Sequence, residues 1–160
     1  MYLVNRCDVI PVYEGYALPH ATLKLEVGGR DIDQHIHNTL VQQHPTLQLQ
    51  HARRIKEEYG YVAMDLQNEP ENPQCGATSF TLPDGAVVSI GDERFKCPEL
   101  FFRPDLIDSE AKAGLHELTW QSMMKCDVDI RVKNLSANIL ITGGSSMFPG
   151  KKYGVLGFLN

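Results

Sequence analysis

The chain lacks a basic cluster: its 15 lysines and arginines are scattered among 20 aspartates and glutamates, for a net charge of −5. A surface built to neutralise nucleic-acid phosphates is therefore not expected. It also lacks a C-x-x-C pair. Cys7, Cys75, Cys97 and Cys126 stand far apart, which argues against a zinc site or a disulfide framework and fits a reducing cytosol. No apolar run approaches the roughly 18 residues of a spanning helix, and the first residues lack the basic-then-apolar order of a signal peptide. These absences imply a soluble, intracellular protein with no nucleic-acid or membrane partner. What remains is ordinary globular material, 42% hydrophobic and 22% charged over 160 positions. That suits one compact unit or two small lobes sharing a core.

The most informative stretch lies near the C-terminal end. Residues 137–142, A-N-I-L-I-T, have strand length and become β-branched toward their end, and they run directly into Gly143-Gly144-Ser145-Ser146. A strand breaking into a glycine turn lets a ligand approach the main chain closely, and the serines can cap a short following helix. Ligand sites in open α/β sheets are built this way, just beyond the carboxyl end of a strand.

Upstream, residues 9–25 read as two strands around a Glu14-Gly15 turn, with Leu23 and Leu25 on one side and Lys24 and Glu26 on the other. The tyrosines and Leu18 are expected at or near the core. Asp31 is placed to cap a helix carrying Ile32, Ile36 and Leu40 at intervals of four and ending before Pro45. His35, His37 and His44 scatter around that helix and are expected at the surface rather than on a metal. Ala52, Ile55 and Tyr59 define a second helix, whose exposed face would carry Arg53, Lys56, Glu57 and Glu58.

Residues 65–78, with Pro70, Pro73 and Gly76, have loop composition. Phe80 to Leu82, the Pro83-Asp84-Gly85 turn and the strand after it form a hairpin. Asp84, Asp92 and Glu93 are better explained by turn and strand-exit chemistry than by a metal site. Residues 115–129 are helical in pattern, with Trp120, Met123 and Met124 expected on the core side.

Several strings resemble actin. Lys125-Cys126-Asp127-Val128-Asp129-Ile130-Arg131, then Ala137-Asn138 and T-G-G-S-S-M-F-P-G at 142–150, are similar to the family's adenosine-side segment. In the same order as in the family come I-P-V-Y-E-G-Y-A-L-P-H-A at 10–21, Gly29-Arg30-Asp31, Tyr61-Val62-Ala63, Leu82-Pro83-Asp84-Gly85 and I-G-D-E-R-F-K-C-P-E at 90–99. The matches cover the second half of an actin chain. The resemblance implies an α/β, partial actin-like (ribonuclease H-like) fold. An inner lobe with a mixed sheet and helices would come from residues 1–28 and 115–160, and an inserted α+β outer lobe from 29–114. It also implies adenosine contacts at Gly29, Lys56, Glu57, Gly143, Gly144, Ser145, Met147 and Phe148, and, through the shorter K-K-Y-G-V-L-G match, at Lys152. Ser145 stands for the family's threonine and Phe148 for its tyrosine, which keeps a hydroxyl and an aromatic ring respectively. Phe101 to Ile107 resemble the approach to a filament-contact loop, where exposed apolar side chains would favour association.

The resemblance also implies what the chain does not do. The family hydrolyses ATP between two glycine-rich phosphate loops, each with an aspartate for the magnesium site. The first belongs to the half that these residues do not match. The second, of the form D-S-G-D-G-V-T-H, would fall at residues 1–8, which read M-Y-L-V-N-R-C-D without a glycine, and Asp8 stands where a histidine orders the attacking water. Phosphoryl transfer rests on positioning and charge stabilisation, so an intact ATPase is not expected and no magnesium ligands are in place. The reading that follows is an actin-like cytoskeletal protein of the cytoplasm, binding ATP or ADP weakly and meeting actin or actin-binding proteins. The alternatives are a nucleotide-independent interaction module and a truncated product without a stable fold.

Overall fold

The computed structural model describes residues 5–63, 78–107, 113–131 and 135–150. It opens with β1 (Cys7–Val9), β2 (Val12–Tyr13), β3 (Tyr16–Ala17) and β4 (Leu23–Leu25). β1 pairs antiparallel with β4, Cys7 opposite Leu25 and Val9 opposite Leu23, and β2 with β3 across a tight turn. Glu14 and Gly15 both take positive φ, 50° and 83°, the backbone a two-residue hairpin turn requires. The two long strands expected here are broken into four short ones where Pro11 and Pro19 remove backbone donors, and Pro19–Ala21 is instead a 3-10 turn. Tyr13 and Leu18 pack against a buried cluster, whereas Tyr16, beyond the turn, is 78% exposed.

α1 (Gly29–Leu40) buries Ile32, Ile36 and Leu40, the spacing that places them on one helical face. Its cap differs from the expectation. Gly28 is the N-cap, and Asp31, two positions inside the helix, turns its carboxylate back to accept the Gly28 N–H at 2.8 Å. Glycine has no side chain to complete a capping box. Asn5 supplies the missing acceptor from a distant part of the chain, its Oδ1 taking the Arg30 N–H at 2.9 Å while its Nδ2 donates to Asp31 at 2.8 Å. Gly28 is required by this approach, because a Cβ there would collide with Asn5.

α2 (Leu49–Tyr59) packs directly against α1, with Ala52 and Ile55 buried, and its Tyr59 and Arg54 meet the Phe80 ring on the strand that follows. Arg53–Glu57 and Arg54–Glu58 pair along its solvent face at 2.9 and 3.1 Å. The loop between the helices is tied by His37 Nε2 to the Leu47 carbonyl oxygen, 3.1 Å away, so His37 is half-buried rather than a surface residue.

β5 (Thr78–Thr81) and β6 (Val87–Ile90) form the expected hairpin, and Asp84 Oδ1 accepts the Ala86 N–H at 2.9 Å, a turn role. Phe80, Val88 and Ile90 face the core. After α3 (Glu93–Lys96) come 3-10 turns at Pro98–Phe101 and Pro104–Leu106. Phe101 and Phe102 are core residues, 0% and 5% exposed, at the end of the first 3-10 turn; of the large apolar side chains from 101 to 107 only Leu106 and Ile107 reach solvent.

α4 (Leu115–Met124) lies over β1 and β4. The expected helix to residue 129 is interrupted at Asp127, whose extended backbone starts the short α5 (Val128–Ile130). One face of α4 is covered, through Leu115, Ser122 and Met123, and the buried Ser122 hydroxyl donates to the Ala21 carbonyl at 2.8 Å. Trp120 projects across the helix from Leu115 and is 51% exposed, and Met124 is also exposed, so neither is on the core side.

Residues 138–142 form no helix and join no ladder among the described residues. Ile139 and Ile141 pack on the core while Leu140 is 89% exposed. The side-chain alternation of a strand is present, without a backbone ladder among the described residues. The described strands form three separate antiparallel pairs, which with the helices make an α/β content without a continuous sheet. The three described cysteines are free thiols, and burial pushes Cys97 up to about 12 and Cys126 upward, so neither is a reactive thiolate at neutral pH.

Two predictions follow from this packing. Ile36→Ala should cost about 2–5 kcal/mol in urea unfolding and Trp120→Ala under about 1 kcal/mol, the reverse order sinking the assignment of faces. His116 stacks 5.9 Å from Phe102, and burial holds its pKa below the usual 6.5, with Glu117 opposing weakly. The depressed value means a contribution that is complete above pH 6.5 and lost as the pH falls through the lower folded value. The drop in melting temperature between pH 7.5 and 5.5 should therefore shrink in His116→Gln.

Candidate functional site

Gly29 and Asp33, one turn apart, present one face of α1; Arg53, Lys56 and Glu57 present one face of α2 at spacings of three and four. The two faces meet the turn at Gly144–Met147 and enclose a cleft of about 560 Å³. Clefts that take small organic ligands fall at roughly 300–1,000 Å³.

At its base Lys56 Nζ lies 2.6 Å from Asp33 Oδ1 and donates to the Gly29 carbonyl oxygen at 3.0 Å. Both side chains are only about a tenth exposed. Asp33 Oδ1 receives no well-directed hydrogen bond, so its tie to Lys56 is charge attraction at contact distance. Lys56 is thus buried, not on the exposed face of α2: the carboxylate waiting on α1 makes that burial possible. Glu57 is held from the other side by Arg53 at 2.9 Å.

The second wall begins at Gly143, whose φ of 105° suits glycine and turns the chain. Ser146 closes the turn, its hydroxyl donating to the Gly143 carbonyl at 2.6 Å. Ser145 is brought so close to α1 that a Cβ on Gly29 would sit 3.3 Å from its Oγ. Phe148 is buried and packs over Gly60, and the Pro149 carbonyl accepts the Val62 N–H at 2.8 Å, strapping this wall to the end of α2. Met147 is 81% exposed at the rim.

Of the residues singled out in the sequence, Gly29, Lys56, Glu57, Gly144, Ser145, Met147 and Phe148 line the cleft together. Gly143 forms the turn without lining it, and Lys152 lies outside the described residues. Sequence reasoning missed Asn5, Arg30, Asp33, Arg53 and Pro149 as lining residues. Asp33 and Arg53 carried a signal, each standing one helical turn from a singled-out residue, Gly29 and Glu57. Among the described residues no group of three or more histidine, cysteine, aspartate or glutamate side chains could hold a metal ion. Asp92 pairs with Lys96 at 2.7 Å and Glu93 accepts the Gly91 N–H at 3.0 Å, both local roles.

The family model for actin matches residues 44–153, more than half of the 160-residue chain. The chain belongs to the actin family. The match includes α2 and the Gly144–Met147 turn, so two of the three walls of the cleft lie on actin-family sequence. In this actin-family chain no helix among the described residues is long and apolar enough to cross a membrane.

The cleft's stability test is the buried pair. Lys56→Met leaves Asp33 charged and uncompensated and should cost about 3–5 kcal/mol, while pairing it with Asp33→Leu should recover most of the loss. Urea titrations of the three proteins check this. A single variant as stable as the parent would mean that the pair is not buried in solution.

Proposed function

We propose that this actin-family chain binds an adenine nucleotide in the cleft between α1, α2 and the Gly144–Met147 turn, and does not hydrolyse it. The observation that carries the reading is the convergence of Gly29, Lys56, Glu57, Ser145 and Phe148, distant in sequence, on one ligand-sized cleft. The cleft has the chemistry for a nucleoside. Phe148 and Met147 offer apolar surface to a base, Glu57 and Ser145 offer acceptors to ribose hydroxyls, and Gly29 leaves the floor open where a Cβ would fill it. The bound nucleotide supplies the ligand charge; the chain's residues position and shield it.

Hydrolysis needs a backbone cradle around the transferred phosphate. Residues 1–8 contain no glycine, and Asn5 spends its side chain capping α1. The reading is of the second half of an actin fold, a partial ribonuclease H-like architecture. Its inner lobe comprises residues 1–28 and 115–160 and its outer lobe residues 29–114, and it acts in the cytoplasm on the cytoskeleton beside actin or actin-binding proteins.

A second reading has its own observation. Tyr16, Trp120, Val128 and Leu140 are all more than half exposed, which suits a surface that docks on another protein without nucleotide.

Thermal unfolding with and without Mg-ATP separates the two. At ten times the dissociation constant the stabilisation is about 1.4 kcal/mol, a rise of about 3–5 °C for a domain of this size. Phe148→Ala should abolish the rise. A sharp transition indifferent to ATP would leave the docking reading alone.

A further inference from the structure

Charge in the cleft is almost entirely cancelled within the protein. Five charged side chains line it: Arg30, Arg53 and Lys56 against Asp33 and Glu57. Lys56 is committed to Asp33 at 2.6 Å and to the Gly29 carbonyl, and Arg53 to Glu57 at 2.9 Å. Arg30 is different. Among the described residues no carboxylate pairs with its guanidinium. The nearest acid in sequence, Asp31, is turned the other way, its carboxylate taking the Gly28 N–H and the Asn5 amide. The same Asn5 side chain holds the Arg30 backbone N–H at 2.9 Å, which fixes where the side chain leaves the helix. The cleft thus has one uncompensated positive charge, on a solvent-exposed side chain at a fixed root.

The geometry points to a ligand with one phosphate group recognised as such: the cleft takes an adenine mononucleotide, and Arg30 is the residue that holds its phosphate. This rests on the adenine-nucleotide reading and narrows it. Guanidinium is planar, always charged and matched to phosphate oxygens, so one arginine suffices for one phosphate. A second or third phosphate meets no further unpaired cation among the lining residues, and extends into water, where its charge is screened. Affinity should therefore step up once, between nucleoside and monophosphate, and stay level after it. Arg30 is a specificity residue here, since it distinguishes charged from uncharged ligands and contributes nothing to the base.

Isothermal titration of the full chain with adenosine, AMP, ADP and ATP tests this, alongside Arg30→Gln. AMP is expected to bind about tenfold more tightly than adenosine, the worth of a charged hydrogen bond at a partly wet site, with ADP and ATP within about threefold of AMP. In Arg30→Gln the AMP affinity should fall to that of adenosine while adenosine is unchanged. Added salt should weaken AMP and leave adenosine alone. Adenosine and AMP binding equally, the variant keeping the AMP preference, or ATP binding tenfold tighter than AMP would each overturn the assignment while leaving adenosine binding in place. Binding of none of the four would remove the nucleotide reading as well. An unchanged melting temperature for Arg30→Gln shows that the variant is folded, as expected for an exposed side chain in no ion pair.

Discussion

The contact between Lys56 and Asp33 sets the relation of the two helices on which the cleft is built. Taking an ammonium and a carboxylate out of water costs several kcal/mol each, and their mutual attraction offsets this only at contact distance with further hydrogen bonding. The first condition is met, the charges approaching to 2.6 Å, and the second on the ammonium side, where Lys56 also donates to the Gly29 carbonyl, while Asp33 Oδ1 relies on charge attraction alone. Slide α2 by one residue and Lys56 rotates away by about 100°, leaving Asp33 buried and alone. The apolar side chains Ile32, Ile36, Ala52 and Ile55 favour association of the helices but would tolerate several registers. The ion pair favours one. Arg53 and Glu57 take their places in the cleft wall as a result of that register.

The start of α1 is under a second constraint. A helix begins with amides that lack intrahelical partners, and Gly28 offers no side chain to meet them. Asn5 meets one, and does so from the lead into β1, so that the β1–β4 pair and α1 are joined at a single amide side chain. The close approach works only because position 28 has no Cβ. This joint also explains why Asn5 borders the cleft: it is there as part of the helix cap, its oxygen holding the Arg30 N–H and its amide donating to Asp31. A residue in that position with a free backbone loop around it would serve a phosphate; this one serves the fold.

Legibility from the sequence followed the range of the interactions. The α1 face was readable because Ile32, Ile36 and Leu40 repeat at helical spacing, and the hairpin because Pro83-Asp84-Gly85 encodes its own turn. Both are local. Lys56 was misplaced because spacing alone assigns a lysine to solvent, and what buries it is a carboxylate 23 positions earlier on another helix. Residues 138–142 have the alternation of a strand, with Ile139 and Ile141 inward and Leu140 outward, yet alternation says nothing of whether a neighbouring backbone is present. The helical pattern of 115–129 puts Trp120 and Met124 on the core side with Met123, although only the face with Leu115, Ser122 and Met123 is covered. Most of the cleft was reached through family resemblance, which carries long-range proximity that periodicity cannot. The same route reached Arg30 only as part of the Gly29-Arg30-Asp31 string and passed over Asp33; what each does depends on the charges that surround it in the folded chain.

That balance bears on what the cleft can do. The buried Lys56–Asp33 pair restrains the base of the cleft, since moving Lys56 breaks an existing contact, whereas the exposed Arg53–Glu57 pair restrains its wall little. Restraint at the base lowers the ordering cost of binding. It also means that any ligand group reaching for Lys56 must compete with Asp33 and the Gly29 carbonyl, and gains only the difference between the two arrangements. Under the proposed function, binding strength would come from the groups not already tied up by charge pairing: the exposed Met147, the cleft-facing edge of the otherwise packed Phe148, and Arg30. The machinery of hydrolysis works the opposite way, holding charged donors unspent until charge develops on the substrate. In this cleft Lys56 and Arg53 already serve Asp33 and Glu57, so among the described lining cations only Arg30 is left without an internal carboxylate partner.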